Sequence, residues 1–454
     1  MDSPPPEHGR RPTRQAAEGW LLTFALFSAL ATKPALAVPS FAIQTGQPCA
    51  ACHVGAFGPQ LKPYGRDFKL HGYVANDGQD HGPPLAATAM TSFTHTNAPQ
   101  VGGAAPGFRP NDNFAVDELS LYYAGKVTAN TGAFVELNYD AVERQARLGK
   151  VDIRHAKEGQ VFEKDLLWGF TANNSPTVQD AWNSTPAWGF PYNASALAPT
   201  PVAAALIDGK LSQRVAGTSA YMLWNDLLYA EAAVYQGLSP STLRITGIVP
   251  VEGTDLIKGM IPYWRFGLIK DLEQHHFQVG TYGLIANVIP GGNPSTGFAD
   301  RFTDIAFDAN YQFIVNPKTT VSDMLSVHAT WIHEVGRMDA SQALTGSLPN
   351  HSLDTMRVDM SYSFAATVTP SVQYFRTSGT RDPNYWDTLN GIPNSEGMIY
   401  EIAYVPWGKP DSPYPGFNAR LALQYVDYLR FDGSRVDARR NNSIYLSLWT
   451  GVKF

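Results

Sequence analysis

From about residue 115 the chain alternates apolar and polar positions with a period of two. Leu119, Leu121, Tyr123, Gly125 and Val127 share one face, and Glu118, Ser120, Tyr122, Ala124 and Lys126 share the other. A turn at Ala129-Asn130-Thr131-Gly132 follows. The return run then sets Ala133, Val135, Leu137 and Tyr139 against Phe134, Glu136, Asn138 and Asp140. This alternation predicts a β-hairpin with one apolar and one mostly polar side. The scheme recurs at 217–224 with 227–235, 262–269 with 276–287, and 304–313 with 319–331. It recurs again at 354–364 with 367–377, and at 397–405 followed by 420–428.

The last strand reads Ile444, Leu446, Leu448, Thr450, Val452 and Phe454 on one face, with Tyr445, Ser447, Trp449, Gly451 and Lys453 opposite. A final alternating strand that finishes in Phe resembles the ending of outer-membrane barrels. Composition points the same way. Charged residues are 16% of the 454 and aromatic residues 12%, while mean hydropathy is −0.20. That is too polar for a helical membrane protein, and no later stretch reaches the ~18 apolar residues of a membrane helix. It suits strands with one lipid-facing and one water-facing side. The expected fold is all-β: an outer-membrane antiparallel β-barrel over 115–454, of about 16 strands. Fourteen or eighteen strands fit the length as well. Long outer loops are expected at 173–205 and 382–396. A net charge of −6 excludes a general nucleic-acid binder, which needs a basic surface.

Residues 1–37 read as a secretory signal peptide: Arg10, Arg11 and Arg14, a short apolar run at 20–32, then Ala35-Leu36-Ala37 before the cut. Both cysteines of the chain then fall in Cys49-Ala50-Ala51-Cys52-His53, the pattern of covalent c-type haem attachment. Two thiols at this spacing can add to the two vinyl groups of one porphyrin edge. His53 then follows as the proximal iron ligand. Other readings are a zinc site, which lacks a second cysteine pair, a thioredoxin-type pair, which lacks a βαβ context, and a plain disulfide, which leaves His53 without a role. A helix is expected to open at Phe57-Gly58-Pro59, with Leu61, Tyr64 and Phe68 on its packed face and Gly72 as its stop. The haem c segment is thus placed at 38–75, before a Gly/Pro-rich linker or plug at 76–114. About 40 residues cannot shield a haem alone. With an even strand number both barrel ends are periplasmic, so the segment is expected in the lumen or at its periplasmic mouth. The wall facing it would include Tyr122, Glu136, Asn138, Tyr445 and Trp449.

The run Phe41-Ala42-Ile43-Gln44-Thr45-Gly46 before the haem motif, Phe57-Gly58-Pro59-Gln60-Leu61 and 65–73 after it, 174–180 with 185–191, and Pro262-Tyr263-Trp264-Arg265 resemble the fused monohaem cytochrome–porins of bacterial outer membranes. The resemblance covers nearly the whole mature chain. It implies one covalent haem c on Cys49, Cys52 and His53, contact with outer-membrane lipid, and electron transfer from an extracellular donor to a periplasmic cytochrome. Characterised members are iron(II) oxidases, although Ile43 stands where those commonly carry a basic residue. Two further classes stay open: a diffusion porin or transporter with a redox-sensing haem segment, and an enzyme with an open haem site. His71, His81, Met90 and His95 are the candidates for the second axial ligand, a five-coordinate iron without one is the alternative, and no spacing selects among them.

Overall fold

The protein is described by a computed structural model covering residues 39–248, 253–413 and 416–454. The signal peptide assigned to 1–37 lies outside the described residues. Seventeen strand segments form one sheet in which each pairs antiparallel with its neighbours. The first strand, Leu85–Thr96, pairs with the last, Ser443–Lys453, from Ala86↔Lys453 to Thr96↔Ser443. It also pairs with the next strand, Asn113–Thr128, so the sheet closes into a barrel. Leu256–Lys258 and Met260–Asp271 continue each other along the same partner, His275–Ile289, with Gly259 at φ +78° between them. The barrel therefore has sixteen spans.

Burial is inverted relative to a water-soluble protein. Along Asp300–Ile314 the covered residues include Asp304, Asp308, Asn310 and Gln312, while Ile305 and Phe307 are exposed. Leu119 and Leu121 are exposed, and Ser120 is buried. On the last strand Ile444, Leu446, Leu448 and Val452 are exposed, while Tyr445 and Ser447 are buried. A closed antiparallel barrel with a polar interior and an apolar outer band is a bacterial outer-membrane barrel. No helix among the described residues is long and apolar enough to cross a membrane. Phe307 sits halfway along its strand, where an outward cation meets the middle of the bilayer. Phe307→Arg should cost ~2–4 kcal/mol, read as a lower midpoint in urea titration of the protein refolded in lipid vesicles. A variant with wild-type stability would place Phe307 off the lipid face.

The structure differs from the sequence reading at four places. The stretch assigned to a linker or plug at 76–114 contains a full barrel strand, Leu85–Thr96. Its small side chains and its Gly/Pro-rich flanks hide the alternation. The strands Gln145–Val161 and Lys164–Asn173 were also not anticipated, because the first carries charges on its inward face. The helix expected to open at Phe57 opens instead at Pro63 and runs to Leu70. Finally, the outer loop expected at 173–205 extends to Arg214 and turns back into the barrel. Its Ile207 amide donates to Asp304 at 2.7 Å, Asp208 accepts both terminal nitrogens of Arg357 at 2.7 and 2.6 Å, and the Phe190 carbonyl accepts from Gln373 at 2.7 Å.

Candidate functional site

The segment 39–73 fills one mouth of the barrel. Three short helices build it: Pro39–Thr45, Cys49–Cys52 and Pro63–Leu70. It lies at the end where the strands are joined by the turns 129–130, 162–163 and 225–227, the end at which the first strand begins. The contacts run around the whole circumference. Gly72 approaches Gly132 and the Arg154 carbonyl. The Leu70 carbonyl accepts from the Tyr221 hydroxyl at 2.6 Å. Arg66 donates to Asp271 at 2.6 Å and to Gln312 at 2.8 Å. Gln60 lies 2.5 Å from His328, and the Ala50 amide donates to the Gly408 carbonyl at 3.0 Å.

The polar lumen decides which side chains this segment buries. Arg66 is 3% and Lys69 2% exposed, whereas Tyr64 is 39% exposed. Tyr64 thus leaves the packed face on which the spacing put it. The Lys69 ammonium donates to the carbonyls of Val178 and Asp180 and to the Asn183 side chain at 2.5–2.8 Å. The Arg66 guanidinium lies 3.7 Å above the Trp182 ring. These two cations tie the mouth segment to the infolded loop, so the lumen holds two interlocked segments.

Cys49–Cys52 is a single helical turn, and His53 leaves it in extended conformation, φ −119° and ψ 147°. The helix Pro63–Leu70 packs directly on this turn, where the Lys62 amide donates to the Cys52 carbonyl at 2.8 Å. Gly65 permits the approach, since a Cβ there would overlap that carbonyl.

Between the mouth segment and the infolded loop lies a cavity of about 540 Å³, within the ~300–1,000 Å³ range of small-molecule and cofactor sites. Cys52 and His53 are on its wall, and Met90, Tyr122, Trp188 and Trp449 line it as well. Of the wall residues expected from sequence, Tyr122, Glu136, Asn138 and Trp449 line it, and Tyr445 does not. Tyr445 stands one layer behind, its hydroxyl 3.8 Å from the Met90 sulfur. Phe57 meets Trp449 edge to face at 5.0 Å. Phe41, Phe68, Tyr73 and Phe134 form an aromatic cluster against which Tyr122 and Trp188 pack, and all of them line the cavity.

Cys52 and His53 are only half-buried because they border this cavity, although both sit deep in the barrel mouth. Burial pulls the His53 imidazole down to about 4, against backbone carbonyls of Gln60 and Pro59 that favour its protonated form. Near neutral pH the ring is therefore uncharged, the form that binds a metal. Its Nδ1 is buried without a hydrogen-bond partner. Burial pushes the Cys52 thiol up to about 12, with Lys62 opposing. Cys49, fully buried, is raised further by the same effect. Neither is an activated thiolate of the kind a redox pair uses. The Cys49 sulfur is one layer behind the cavity wall: the Asn418 amide donates to it at 3.4 Å, and Asn418 itself lines the cavity. A thiol and a neutral imidazole on the wall of an aromatic cavity, with a second thiol behind the Asn418 amide, match the donor set of a c-type haem.

The four ligand candidates separate clearly. Met90 lines the cavity. His71 pairs with Asp67 and Glu158, His81 with Asp77, and His95 with Asp112, and none of these three borders it. His328, buried in the lumen, is held by Asp359 at 2.8 Å. Sequence reasoning missed Trp188, Asn183 and Asn418, because nothing local marks a loop or strand end that returns to the lumen. A second cavity of about 210 Å³ shares Lys150, Pro186 and Ala187 with the first and continues along the infolded loop past Ser175 and Ser212.

No family profile matches the chain, and no curated protein matches it. Among solved structures it is similar to an anion-selective porin from Comamonas acidovorans, at 10% identity, 82% of this chain, 98% of that chain and a TM-score of 0.41. It is similar to the outer membrane channel DcaP of Acinetobacter baumannii at 11% identity, covering 82% and 96%, with a TM-score of 0.42. It is also similar to Pseudomonas putida OprB at 10% identity, covering 82% and 93%, with a TM-score of 0.43.

Proposed function

We propose that the protein is an outer-membrane c-type cytochrome that carries electrons from an extracellular donor, iron(II) being one candidate, to a periplasmic cytochrome. The observation that carries this reading is the position of Cys52 and His53 on an aromatic cavity inside a barrel mouth that their own segment fills. One haem would be bound through thioethers from Cys49 and Cys52 with His53 on its iron, and it supplies a one-electron redox couple.

The chain's own residues do the rest. Phe41, Phe68, Phe134 and Trp188 give the cavity an apolar side against which a porphyrin ring would pack. Lys69 and Arg66 fix the mouth segment against the infolded loop. The apolar band of such a barrel is ~25 Å tall, too far for efficient single-step tunnelling. A redox group held in the lumen shortens each step, which gives a physical reason for joining the haem segment to a barrel. Anaerobic addition of iron(II) to the oxidised protein should reduce the haem, seen as sharpening of its visible bands. An unchanged spectrum over a range of pH removes iron(II) as donor.

A diffusion porin or transporter with a redox-sensing mouth segment is the second reading. The barrel architecture favours it, as does the smaller cavity that extends from the first along the infolded loop. Against it stand the two interlocked segments in the lumen.

A further inference from the structure

We infer that Met90 supplies the second axial ligand to the haem, so that one ligand comes from the mouth segment and the other from the barrel wall. This rests on the haem reading above. Among the described residues ahead of the second strand, four besides His53 carry a histidine or methionine donor. Three are spent elsewhere: His71 on Asp67 and Glu158, His81 on Asp77, and His95 on Asp112. Met90 alone of the four borders the cavity that Cys52 and His53 border.

Its placement is built into the strand. Met90 is opposite Trp449 on one side and Glu118 on the other, and both of those line the cavity. The pairing with Asn113–Thr128 shifts register between Met90 and Thr91. A bulge of this kind re-aims a side chain and is common beside functional sites. The Tyr445 hydroxyl lies 3.8 Å from the thioether sulfur, a weak contact that orients it and leaves a lone pair free.

Several other donors that line the cavity are engaged, and the Lys150 ammonium lies 5.0 Å over the Trp188 ring. The Tyr122 hydroxyl donates to Glu136 at 2.8 Å, and the Tyr73 hydroxyl to Asp152 at 2.7 Å. The Tyr192 hydroxyl donates to Gln60 at 3.1 Å, and Lys69 is held by three oxygens. A thioether is a soft ligand that suits haem iron and raises its reduction potential relative to a second imidazole.

The test compares the wild type with Met90→Ala and Met90→His, each purified as the full chain and checked for heat-modifiable gel mobility as evidence of a folded barrel. The wild type should carry covalent haem on a denaturing gel. Its oxidised form should be low-spin, with the near-red sulfur-to-iron charge-transfer band. Met90→Ala should keep the covalent haem and lose both features. Met90→His should regain the low-spin form without the band and at a lower potential. A Met90→Ala protein that retains covalent haem and an unchanged low-spin spectrum overturns the assignment. Wild-type protein without covalent haem overturns the reading on which it rests.

Discussion

The double variant Cys49→Ala/Cys52→Ala should lose covalent haem completely, while the barrel still folds and keeps its heat-modifiable mobility. The loss would be seen as absence of peroxidase-type haem staining on a denaturing gel that stains the wild type. The barrel should survive because the ladder that closes it, from Ala86↔Lys453 to Thr96↔Ser443, involves no residue of the motif. The mouth segment also has anchors of its own in Arg66, Lys69 and the Tyr221 contact with Leu70. Between the single variants, Cys52→Ala should lose more haem than Cys49→Ala. Cys52 borders the cavity directly, whereas Cys49 reaches it only if Asn418 moves. A zinc site, a disulfide or a redox pair predicts no stain in the wild type, so that result would end the cytochrome reading.

Much of the barrel was legible because its inside and outside differ in polarity at every second residue. The hairpin 118–140 and the last strand needed only the period of two. Leu121, Leu446 and Glu136 ended on the faces that the alternation assigned them. The rule failed where local sequence and environment diverge. Leu85–Thr96 has Ala and Thr on both faces, so no contrast marks it. Gln145–Val161 places the ion pair Asp152–Arg154 inward at 0% exposure, and charge at such density imitates a loop. Helical spacing misled for a related reason. A helix inside a polar lumen has no need of an apolar packed face, so Arg66 and Lys69 are buried and Tyr64 is not.

The haem motif is purely local, and Cys49, Cys52 and His53 could be named without a structure. What surrounds them could not. Trp449, Asn418 and His328 meet the segment across more than 250 positions of sequence, and the infolded loop meets it across more than 100. Such contacts depend on the closed barrel bringing distant strands to one mouth. The choice of Met90 over three histidines needed the same closure. Its strand must be known to be the first of the barrel before the residue can be placed on the lumen side.

Two deletions should separate a conduit from a pore. In liposome-swelling assays the wild type should admit sugars scarcely faster than empty vesicles. Residues 39–73 stop the lumen at one level, and the loop between Asn173 and Val215 stops it at the next. Replacing 176–212 with a short Gly/Ser linker should remove the upper stopper. Flux should stay low, because Arg66 still holds the mouth segment to Asp271 and Gln312 and Lys62 still donates to the Thr320 carbonyl at 3.0 Å. Removing 39–73 alone should likewise leave the infolded loop in place through Asp208 with Arg357, Ile207 with Asp304 and the Phe190 carbonyl with Gln373. Only the two changes together should open the lumen, and swelling should then rise to the rate of an unobstructed barrel, since sixteen strands enclose an aqueous channel when nothing fills it. The order of effects carries the conclusion. Fast sugar passage through the unaltered protein means that the second cavity joins a continuous water path, and a diffusion porin with a sensing segment becomes the better account. Low passage in both single variants with high passage in the double variant means that the barrel encloses a sealed compartment, which a redox group can use and a diffusing sugar cannot.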